Sequence, residues 1–437
     1  MKKMNLVSAV LAAILAVLMT GCGMNMTAGS PAAENNTAIS PEVSAADEET
    51  AQAVNANAAE GFEVVAVSQT YEAYQENSEL FTKRDLAQTA DTSDAAFITV
   101  SDRETIDITE EGVYVISGTA ENCTVKVSAG SDAKVQLVLD GVSITNSDFP
   151  AIYVEAADKV FVTTTDSENT LTVSGQFTAD GDTNTDAVIF SKDDLVLNGT
   201  GTLIVTSAYG NGISGKDDLK VTGGTYQVTS ALHAFEANDS ISVCDGIFTV
   251  NANKDGFHCE NDDTAGTITV SGGSFTIRAA SDGIHAAALL QIDGGSMTVT
   301  ASEGLEAAYV LINGGDIDIS ANDDGINAAD QSASVSTPTV EINDGNVNIT
   351  MSGNDVDCID VNGDIIVSGG TIQVTYPEQG PSESFDYDGT AAYNGGTIII
   401  NGTQVDSIPQ GMMGGRMNGG NMQGDMGGFG GRMHRGF

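Results

Sequence analysis

A unit of about 21 residues repeats along the middle of the chain, and this repeat constrains the fold more than any other feature. One copy runs from Asp282 to Ser302 and reads DGIHAAALLQIDGGSMTVTAS. Each copy contains a turn similar to Asp-Gly-Ile, an alternating apolar segment, a Gly-Gly or Asp-Gly turn, and a strand similar to Thr-x-Val-Thr. A repeat of this length is typical of a solenoid, in which each unit packs against its neighbours.

Apolar and polar residues alternate within each copy, and this period of two predicts β-strands. The copies start at Asn211, His233, Asp255, Asp282, Glu303, Asp324 and Asn354. Their alignment stacks like residues into apolar columns, namely Leu219, Ile241, Ile268, Leu290, Val310, Val340 and Ile365; Tyr226, Phe248, Phe275, Met297, Ile317, Val347 and Ile372; and Val228, Val250, Ile277, Val299, Ile319, Ile349 and Val374. We therefore predict an all-β protein, a right-handed parallel β-helix with three strands per coil, over residues 97–405.

The segments outside the repeats have their own compositions. Residues 1–22 have a basic start and an apolar stretch that ends in Met-Thr-Gly-Cys, which resembles a bacterial lipobox. This segment predicts a lipoprotein signal peptide with lipid attachment at Cys22, and the alternative is an ordinary secretory signal. We expect a disordered spacer over residues 23–61, a lead-in that caps the first coil over 62–96, and a disordered Gly- and Met-rich tail over 406–437.

The charge of the chain limits its partners. The formal net charge is −45, from 61 Asp and Glu against 16 Lys and Arg. Phosphate binding needs the opposite sign, so we expect no nucleic-acid partner. Solubility of an exported protein is enough to explain most of this charge. Separately, we expect a monomer that is lipid-anchored at the cell membrane and exposed at the cell surface.

Several stretches carry a resemblance to a known family. LVLDGVSITNSDFPAIYV, ENTLTVSG and the KDDL turns at Lys192 and Lys216 resemble bacterial carbohydrate-binding β-helix proteins, which are similar in fold to pectate lyases. The resemblance covers roughly residues 82–405. It implies non-catalytic, calcium-assisted binding of a polysaccharide, either cellulose or acidic sugars such as polygalacturonate.

Two polar columns border the Asp-Gly-Ile turn. The first column contains the seven starts named above, and the second, three residues later, contains Ser214, Glu236, His258, His285, Glu306, Asn327 and Asp357. Carboxylates about 4.8 Å apart repel by about 1 kcal/mol in water and by roughly 3–4 kcal/mol at an effective dielectric of 20. Bound Ca²⁺ would remove this repulsion, and the candidate metal ligands are Asp255, Asp282, Glu303, Glu306, Asp324 and Asp357. The alternative is that Asp-Gly only forms a turn.

Two histidines suggest a different kind of metal site. His258 and His285 fall on adjacent coils, and Glu236 or Glu306 would be the third ligand of a transition metal. A solvated polar ladder explains the same pattern. The methionines of the tail leave Cu(I) binding open in the same way.

The outward positions of the Thr-x-V-T strands form a flat polar ladder of Gln227, Thr249, Thr276, Thr298, Asp318, Asn348 and Gln373. Hydroxyl and amide groups at these positions can hydrogen-bond a sugar chain, and Thr276, Thr298, Asp318 and Asn348 are the candidate carbohydrate-binding residues. The alternative is that threonine suits exposed strand positions. Aromatic candidates for sugar stacking are Tyr153, Tyr209, Tyr309, Tyr387 and Tyr393.

A calcium-dependent polysaccharide lyase is the alternative function. β-Elimination from a uronate needs a basic group to remove the α-proton, and the chain has no Lys or Arg between Arg278 and Arg416. Lys254, beside Asp255, is the candidate base. A plain surface adhesin or spacer is a third possibility.

The four cysteines beyond Cys22 are predicted to be buried free thiols. The repeat alignment places Cys259 and Cys358 in the column of Ala286, Ala307 and Ala328. They would lie four coils apart, about 19 Å, which is too far for a disulfide.

Overall fold

The structure is a computed structural model that describes residues 80–261, 266–329, 335–378 and 381–409. The chain divides into two units after Glu79, and the described residues all belong to the second unit. The predictions for residues 1–61, including Cys22, for most of the lead-in and for nearly all of the tail lie outside these residues. Within them, no helix has the length and apolar character to cross a membrane.

The described residues form 34 β-strands. In chain order, β1 to β34 are Ala96–Thr99, Thr105–Ile108, Gly112–Glu121, Thr124–Ser128, Lys134–Asn146, Ile152–Ala156, Lys159–Thr164, Glu168–Val173, Ala187–Ser191, Asp194–Gly199, Thr202–Ser207, Asn211–Gly215, Asp218–Val221, Thr225–Ser230, Phe235–Ala237, Ser240–Val243, Ile247–Ala252, Phe257–Cys259, Thr267–Val270, Ser274–Ala279, Asp282–Ile292, Ser296–Thr300, Glu303–Ile312, Asp316–Ala321, Asp324–Ala328, Thr339–Ile342, Asn346–Met351, Asp357–Val361, Asp364–Val367, Thr371–Thr375, Asp386–Tyr387, Ala391–Tyr393, Thr397–Ile400 and Thr403–Val405.

All of these strands except β34, which pairs antiparallel with β33, stack into three parallel sheets, and each full coil contributes to all three in turn. Sheet 1 contains β2, β4, β6, β9, β12, β15, β18, the first halves of β21 and β23, β25, β28 and β31. Sheet 2 contains β1, the first halves of β3 and β5, β7, β10, β13, β16, β19, the second halves of β21 and β23, β26, β29 and β32. Sheet 3 contains the second halves of β3 and β5, β8, β11, β14, β17, β20, β22, β24, β27, β30 and β33. The predicted parallel β-helix with three strands per coil is confirmed, and its handedness stays a prediction.

The core runs along the inside of the coils. All three predicted apolar columns are in register, from Leu219 to Ile365 in sheet 2 and from Tyr226 and Val228 onward in sheet 3. Rings stack inside the helix, with centroids 4.5 Å apart for Phe248 and Phe275 and 4.6 Å apart for Phe235 and Phe257. Repetition of one side-chain shape in successive coils therefore lets each ring pack on the next.

Glycine is required where sheet 2 turns into sheet 3. Gly273, Gly295 and Gly315 have φ of 103°, 96° and 100°, a region that other residues rarely adopt. A Cβ on Gly295 would lie 3.0 Å from the carbonyl oxygen of Gly273 in the previous coil. The second glycine of each Gly-Gly turn therefore serves both the turn and the close stacking of coils.

The predicted register is wrong in the last regular coil. Asp357 pairs with Asp324, and Asp360 pairs with Asn327, so the first column continues in Asp357 and the second in Asp360. Asn354, which we predicted as the start of this copy, lies in the preceding turn, where Asp355 has a φ of 64°. The reason for the error is that Asp-Cys-Ile replaces Asp-Gly-Ile here, while Asn-Asp-Val nearby imitates it.

This correction moves one cysteine. The pairing of Ile326 with Ile359 places Cys358 against Gly325 instead of Ala328. The two coils are close here, since a Cβ on Gly325 would lie 2.4 Å from the carbonyl oxygen of Cys358. Cys259 does pair with Ala286, as predicted. Among the described residues, Cys123, Cys244, Cys259 and Cys358 are buried thiols outside any disulfide, which confirms the prediction.

Part of the predicted lead-in lies on the outside of sheet 2, where the Gln88 side-chain amide donates to Thr222 O at 2.8 Å and accepts from the Gly199 amide at 2.9 Å. Asp85 is fully buried there, and its carbonyl accepts from the Asn198 side chain at 3.2 Å. Polar side chains on the outer face of sheet 2 hold this segment, and that is a tertiary contact which the repeat pattern does not encode. The capping role of residues 62–96 stays a prediction.

Candidate functional site

The first polar column lies where sheet 3 turns into sheet 1, and it begins each sheet 1 strand. Asp282 pairs with Glu303 in the next coil. Asp255 occupies the equivalent position in the coil before Asp282, and Asp324 occupies it in the coil after Glu303. Asp255 and Asp282 are 4% and 7% exposed. The glycine after each acid has no room for a side chain, because a Cβ on Gly283 would lie 2.3 Å from Val299 Cγ1. Tight packing of the coils at this corner therefore presents the acids as a regular ladder.

Three groups of side chains in the described residues bring their ligand atoms within 4.8 Å of one another. They are His233, Asp255 and His258; Asp255, Asp282 and His285; and Asp282, Glu303 and Glu306. Four of the six predicted metal ligands therefore meet in overlapping clusters.

The Asp282, Glu303 and Glu306 cluster offers only oxygen ligands. His285 Nδ1 lies 3.2 Å from Asp282 Oδ2 and 3.3 Å from Glu306 Oε2, while Asn327 Nδ2 donates to Glu303 Oε2 at 2.9 Å. Burial opposes the charged imidazole of His285, but Asp282 and Glu306 outweigh it and raise its pKa to about 9. When all three carboxylates are ionised beside one imidazolium, two negative charges are left uncompensated, so the donor set fits a divalent hard cation.

Protons compete for these carboxylates. Burial, followed by repulsion from Glu303 and Asp282, raises the pKa of Glu306 to about 7 against the opposing charge of His285. Burial also raises the pKa of Glu303. Burial and mutual repulsion both disfavour the ionised carboxylates, and a bound cation would relieve both effects.

The other two predicted ligands, Asp324 and Asp357, lie further along the ladder. Asp324 Oδ1 accepts the Asp357 amide at 3.4 Å, and Asp357 Oδ1 accepts the Glu383 amide at 2.7 Å. Burial, with the neighbouring carboxylate of Asp360, raises the pKa of Asp324 to about 8. Neither residue belongs to a three-ligand group within the described ranges, so a role for them in cation binding stays a prediction.

The two predicted histidines are adjacent, and His233 extends them to a row of three. His258 pairs with His285 in sheet 1, and the rings of His233 and His258 stack with centroids 4.1 Å apart. The predicted alternative third ligand Glu236 is not available to His258, because it accepts hydrogen bonds from Ser214 and from Lys216 at 2.5 and 3.1 Å. The sequence analysis placed His233 in the first polar column but did not consider it as a metal ligand. The available signal was its imidazole, which binds transition metals.

The carboxylate of Asp255 contacts both of these stacked rings through their Nδ1 atoms. Burial alone would raise its pKa, but His233 and His258, together with the amide of Asp282, lower the pKa of Asp255 below its usual range. His258 Nδ1 lies 2.7 Å from Asp255 Oδ2, and His233 Nδ1 lies 3.1 Å from the same atom.

The outward ladder of sheet 3 has the predicted register from Gln227 to Gln373. Thr276, Thr298 and Asp318 are exposed and Asn348 is half-buried. Asn348 Nδ2 donates to Asp318 Oδ1 at 2.9 Å, so these two positions already satisfy one another in part. The four predicted carbohydrate-binding residues thus form one continuous polar row.

A groove of about 520 Å³ runs beside this row, at the end of the sheet 3 strands. Its lining crosses five coils and consists of small and polar residues and one cation: Thr206, Ser207, Ala208, Thr229, Ser230, Ala231, Asn251, Ala252, Asn253, Arg278, Ala279, Ala280 and Thr300. None of the four predicted sugar-binding residues lines it, because Thr276 and Thr298 lie two positions before groove residues on their strands, and Asp318 and Asn348 belong to later coils. The sequence analysis did not predict this groove. The available signal was Arg278, an isolated basic residue in an acidic chain.

The predicted aromatic candidates separate by exposure. Tyr209 follows the groove residue Ala208 and is 54% exposed, so it is open to a ligand. Tyr153 and Tyr309 are buried, and their hydroxyls donate to Asp180 and Glu341. Because burial excludes a stacked sugar, the prediction is wrong for Tyr153 and Tyr309; Tyr387 and Tyr393 are half-buried.

Known proteins share parts of this chain. A family described as "Carbohydrate-binding domain-containing protein" matches residues 102–329, more than half of the chain. The chain belongs to this carbohydrate-binding domain family. A protein of the same description from Acetivibrio thermocellus is 37% identical over 134 residues, which cover 30% of this chain and 46% of that protein. The match thus spans less than half the length of this relative.

A solved structure is similar to part of this chain. It is described as the polysaccharide lyase-like protein from C. thermocellum, in a gadolinium derivative. The alignment covers 52% of this chain and 96% of that chain, at 28% identity and a TM-score of 0.46. The matched family segment of the present chain contains the groove, all three histidines and the acids from Asp255 to Asp324.

Proposed function

We propose that this member of the carbohydrate-binding domain family binds a polysaccharide, without cleaving it, along the outer face of sheet 3. The observation that carries the proposal is the groove of about 520 Å³ beside the row of Thr276 and Thr298. Hydroxyl and amide groups repeat there about every 4.8 Å, so an extended chain can meet similar partners in successive coils. Arg278 adds a charged donor that suits the carboxylate of an acidic sugar such as a uronate.

Calcium is the second part of the proposal. Asp282, Glu303 and Glu306 would hold it, because their oxygens lie within 4.8 Å of one another and their charge is under-compensated. The groove residue Ala280 precedes Asp282 by two positions, and both lie at the corner between sheet 3 and sheet 1. A cation held by Asp282 would therefore lie near a sugar bound in the groove. Bound calcium would bring positive charge to a polymer that an acidic protein otherwise repels.

Attachment to the cell surface completes the proposal. The lipobox-like segment at residues 19–22 supports lipid attachment at Cys22, and residues 23–61 would act as a spacer. Mass spectrometry of the protein purified from membranes tests this step, because the expected N-terminal peptide begins with an acylated Cys22. An unmodified mature terminus would contradict it.

The binding test uses the purified chain with polygalacturonate and with cellulose, each with calcium and with chelator. We expect retention on at least one polymer, with calcium strengthening the retention on polygalacturonate. Arg278→Gln should weaken binding to polygalacturonate more than binding to cellulose, because only the former carries carboxylates. Lys134→Gln is the matched control, since Lys134 is an exposed cation 3.2 Å from Asp158, far along the chain from the groove.

The same tubes separate binding from lyase activity. Ultraviolet absorbance of an unsaturated product should stay flat. A rise that Lys254→Met abolishes would establish the lyase alternative, for which exposed Lys254, next to the groove residue Asn253, is the candidate base. Failure to retain either polymer would favour an adhesin or spacer.

A further inference from the structure

We propose that His233, Asp255 and His258 form a binding site for a divalent transition metal of the zinc class. The three residues come from two neighbouring coils, since His233 precedes β15 and the other two belong to the coil of β18. The site lies outside the proposed calcium cluster and goes beyond the proposed function, because neither sugar binding nor calcium requires it.

The geometry converges on one carboxylate oxygen. His258 Nδ1 lies 2.7 Å and His233 Nδ1 3.1 Å from Asp255 Oδ2. Around a tetrahedral ion with ligand distances of about 2.0–2.1 Å, neighbouring ligand atoms are about 3.3 Å apart. The His233 contact is already close to this separation, and the His258 contact must lengthen by about half an ångström. To admit the ion, the stacked rings of His233 and His258, whose planes are 25° apart, would also rotate so that both Nδ1 atoms face it.

His233 gives the second, independent observation. Its side chain is 9% exposed, and its Nδ1 atom is buried without a hydrogen-bond partner among the described residues. The 3.1 Å approach to Asp255 Oδ2 brings the two groups together, but it does not have hydrogen-bond geometry. Buried polar atoms in native proteins nearly always have a partner, so this nitrogen is directed at a position where a ligand would complete it.

The surroundings orient the other two ligands. Asp255 Oδ1 accepts the Asp282 amide at 3.1 Å, which leaves Oδ2 for an ion. His258 Nε2 lies 3.6 Å from Glu260 Oε2, so the ring can direct its Nδ1 lone pair towards the site while Nε2 keeps its proton. Metal-bound histidines commonly have a carboxylate beside their second nitrogen, and this arrangement matches that pattern.

The donor set distinguishes the site from the proposed calcium cluster. Two imidazole nitrogens and one carboxylate suit zinc and its neighbours, whereas calcium takes oxygen ligands. His285 is the third histidine of the row, and it belongs to the neighbouring ligand group with Asp255 and Asp282, where its Nδ1 atom contacts Asp282 and Glu306. Its substitution therefore tests which of the two groups holds the ion.

Zinc titration of the purified full-length chain, after chelator treatment and in excess calcium, tests the site. We expect one tightly bound zinc, at least about tenfold weaker binding in His233→Gln and in His258→Gln, a smaller loss in His285→Gln, and unchanged binding in Lys134→Gln. X-ray absorption of the zinc-loaded wild-type chain should show two imidazole ligands. This second measurement does not depend on the folding of any variant.

Three results would overturn the proposal. The first is zinc binding that excess calcium abolishes, as expected if the calcium cluster holds the zinc. The second is an X-ray absorption spectrum with oxygen ligands only. The third is a loss of zinc affinity in His285→Gln equal to that in His258→Gln. Retention on polysaccharide, measured on the same proteins, should not change with zinc, so failure of this site is distinguishable from failure of sugar binding.

Discussion

Replacement of Asp324 by asparagine should stabilise the cation-free protein, and the gain should grow with pH. Asp324 is half-buried and pairs with Asp357 in the next coil, about 4.8 Å away by strand spacing. Repulsion across this distance costs about 1 kcal/mol in water and roughly 3–4 kcal/mol at an effective dielectric of 20, so removal of one charge should gain about 2 kcal/mol from this pair, and relief of the buried charge adds to the gain. Asparagine keeps an oxygen to accept the Asp357 amide.

The sign of the pH dependence follows from proton binding. The folded-state pKa of Asp324 is raised to about 8, so between about pH 4 and pH 8 the folded protein keeps a proton that the unfolded chain has lost. Wild-type stability therefore falls as pH rises through this range, and Asp324→Asn removes that contribution to the fall. The difference between the two proteins should be near zero at about pH 4 and complete above about pH 8.

Thermal unfolding in chelator across this range measures the effect, and about 2 kcal/mol corresponds to a Tm increase of about 4 °C. Asp318→Asn is the control, because it removes one charge from the exposed face of sheet 3 and retains an oxygen for Asn348. An equal gain in Asp318→Asn, or a gain in Asp324→Asn that does not vary with pH, would refute the reasoning.

Three further predictions concern the calcium cluster, the turns and the core. Calcium should raise the Tm of the wild-type chain, and Glu303→Gln should reduce that increase because it removes a ligand of the all-oxygen cluster; equal increases in both proteins would exclude this cluster. Gly295→Ala should lower the unfolding free energy by about 1–3 kcal/mol through its positive φ and the close carbonyl of Gly273, and Gly130→Ala, with open space around it, should not. Phe257→Ala should cost about 3–5 kcal/mol by removing a ring stacked between coils, whereas Phe97→Ala, at a 75% exposed ring, should cost much less in the same denaturation assay.

The fold was largely predictable because the physical requirement of a β-helix is itself periodic. Each coil must repeat the side chains of the last, so the columns that start at Leu219, Tyr226 and Val228 appear directly in the amino-acid order. The one register error arose at Asp357, where Cys358 replaces the usual glycine and the preceding turn is unusual. A local substitution there removed the pattern on which the alignment depended.

The sequence by itself determined the parallel coils, the ladder of acids and the polar face of sheet 3, since all three follow from residues at a constant spacing. Only the tertiary structure decided which neighbours share an ion or a proton. His233 Nδ1 and His258 Nδ1 approach the same oxygen of Asp255, although they belong to different columns. Likewise, Arg278 meets Thr300 and Asn253 in one groove. Ring orientation, burial and the curvature of the corner set these distances, and none of them is written in the repeat.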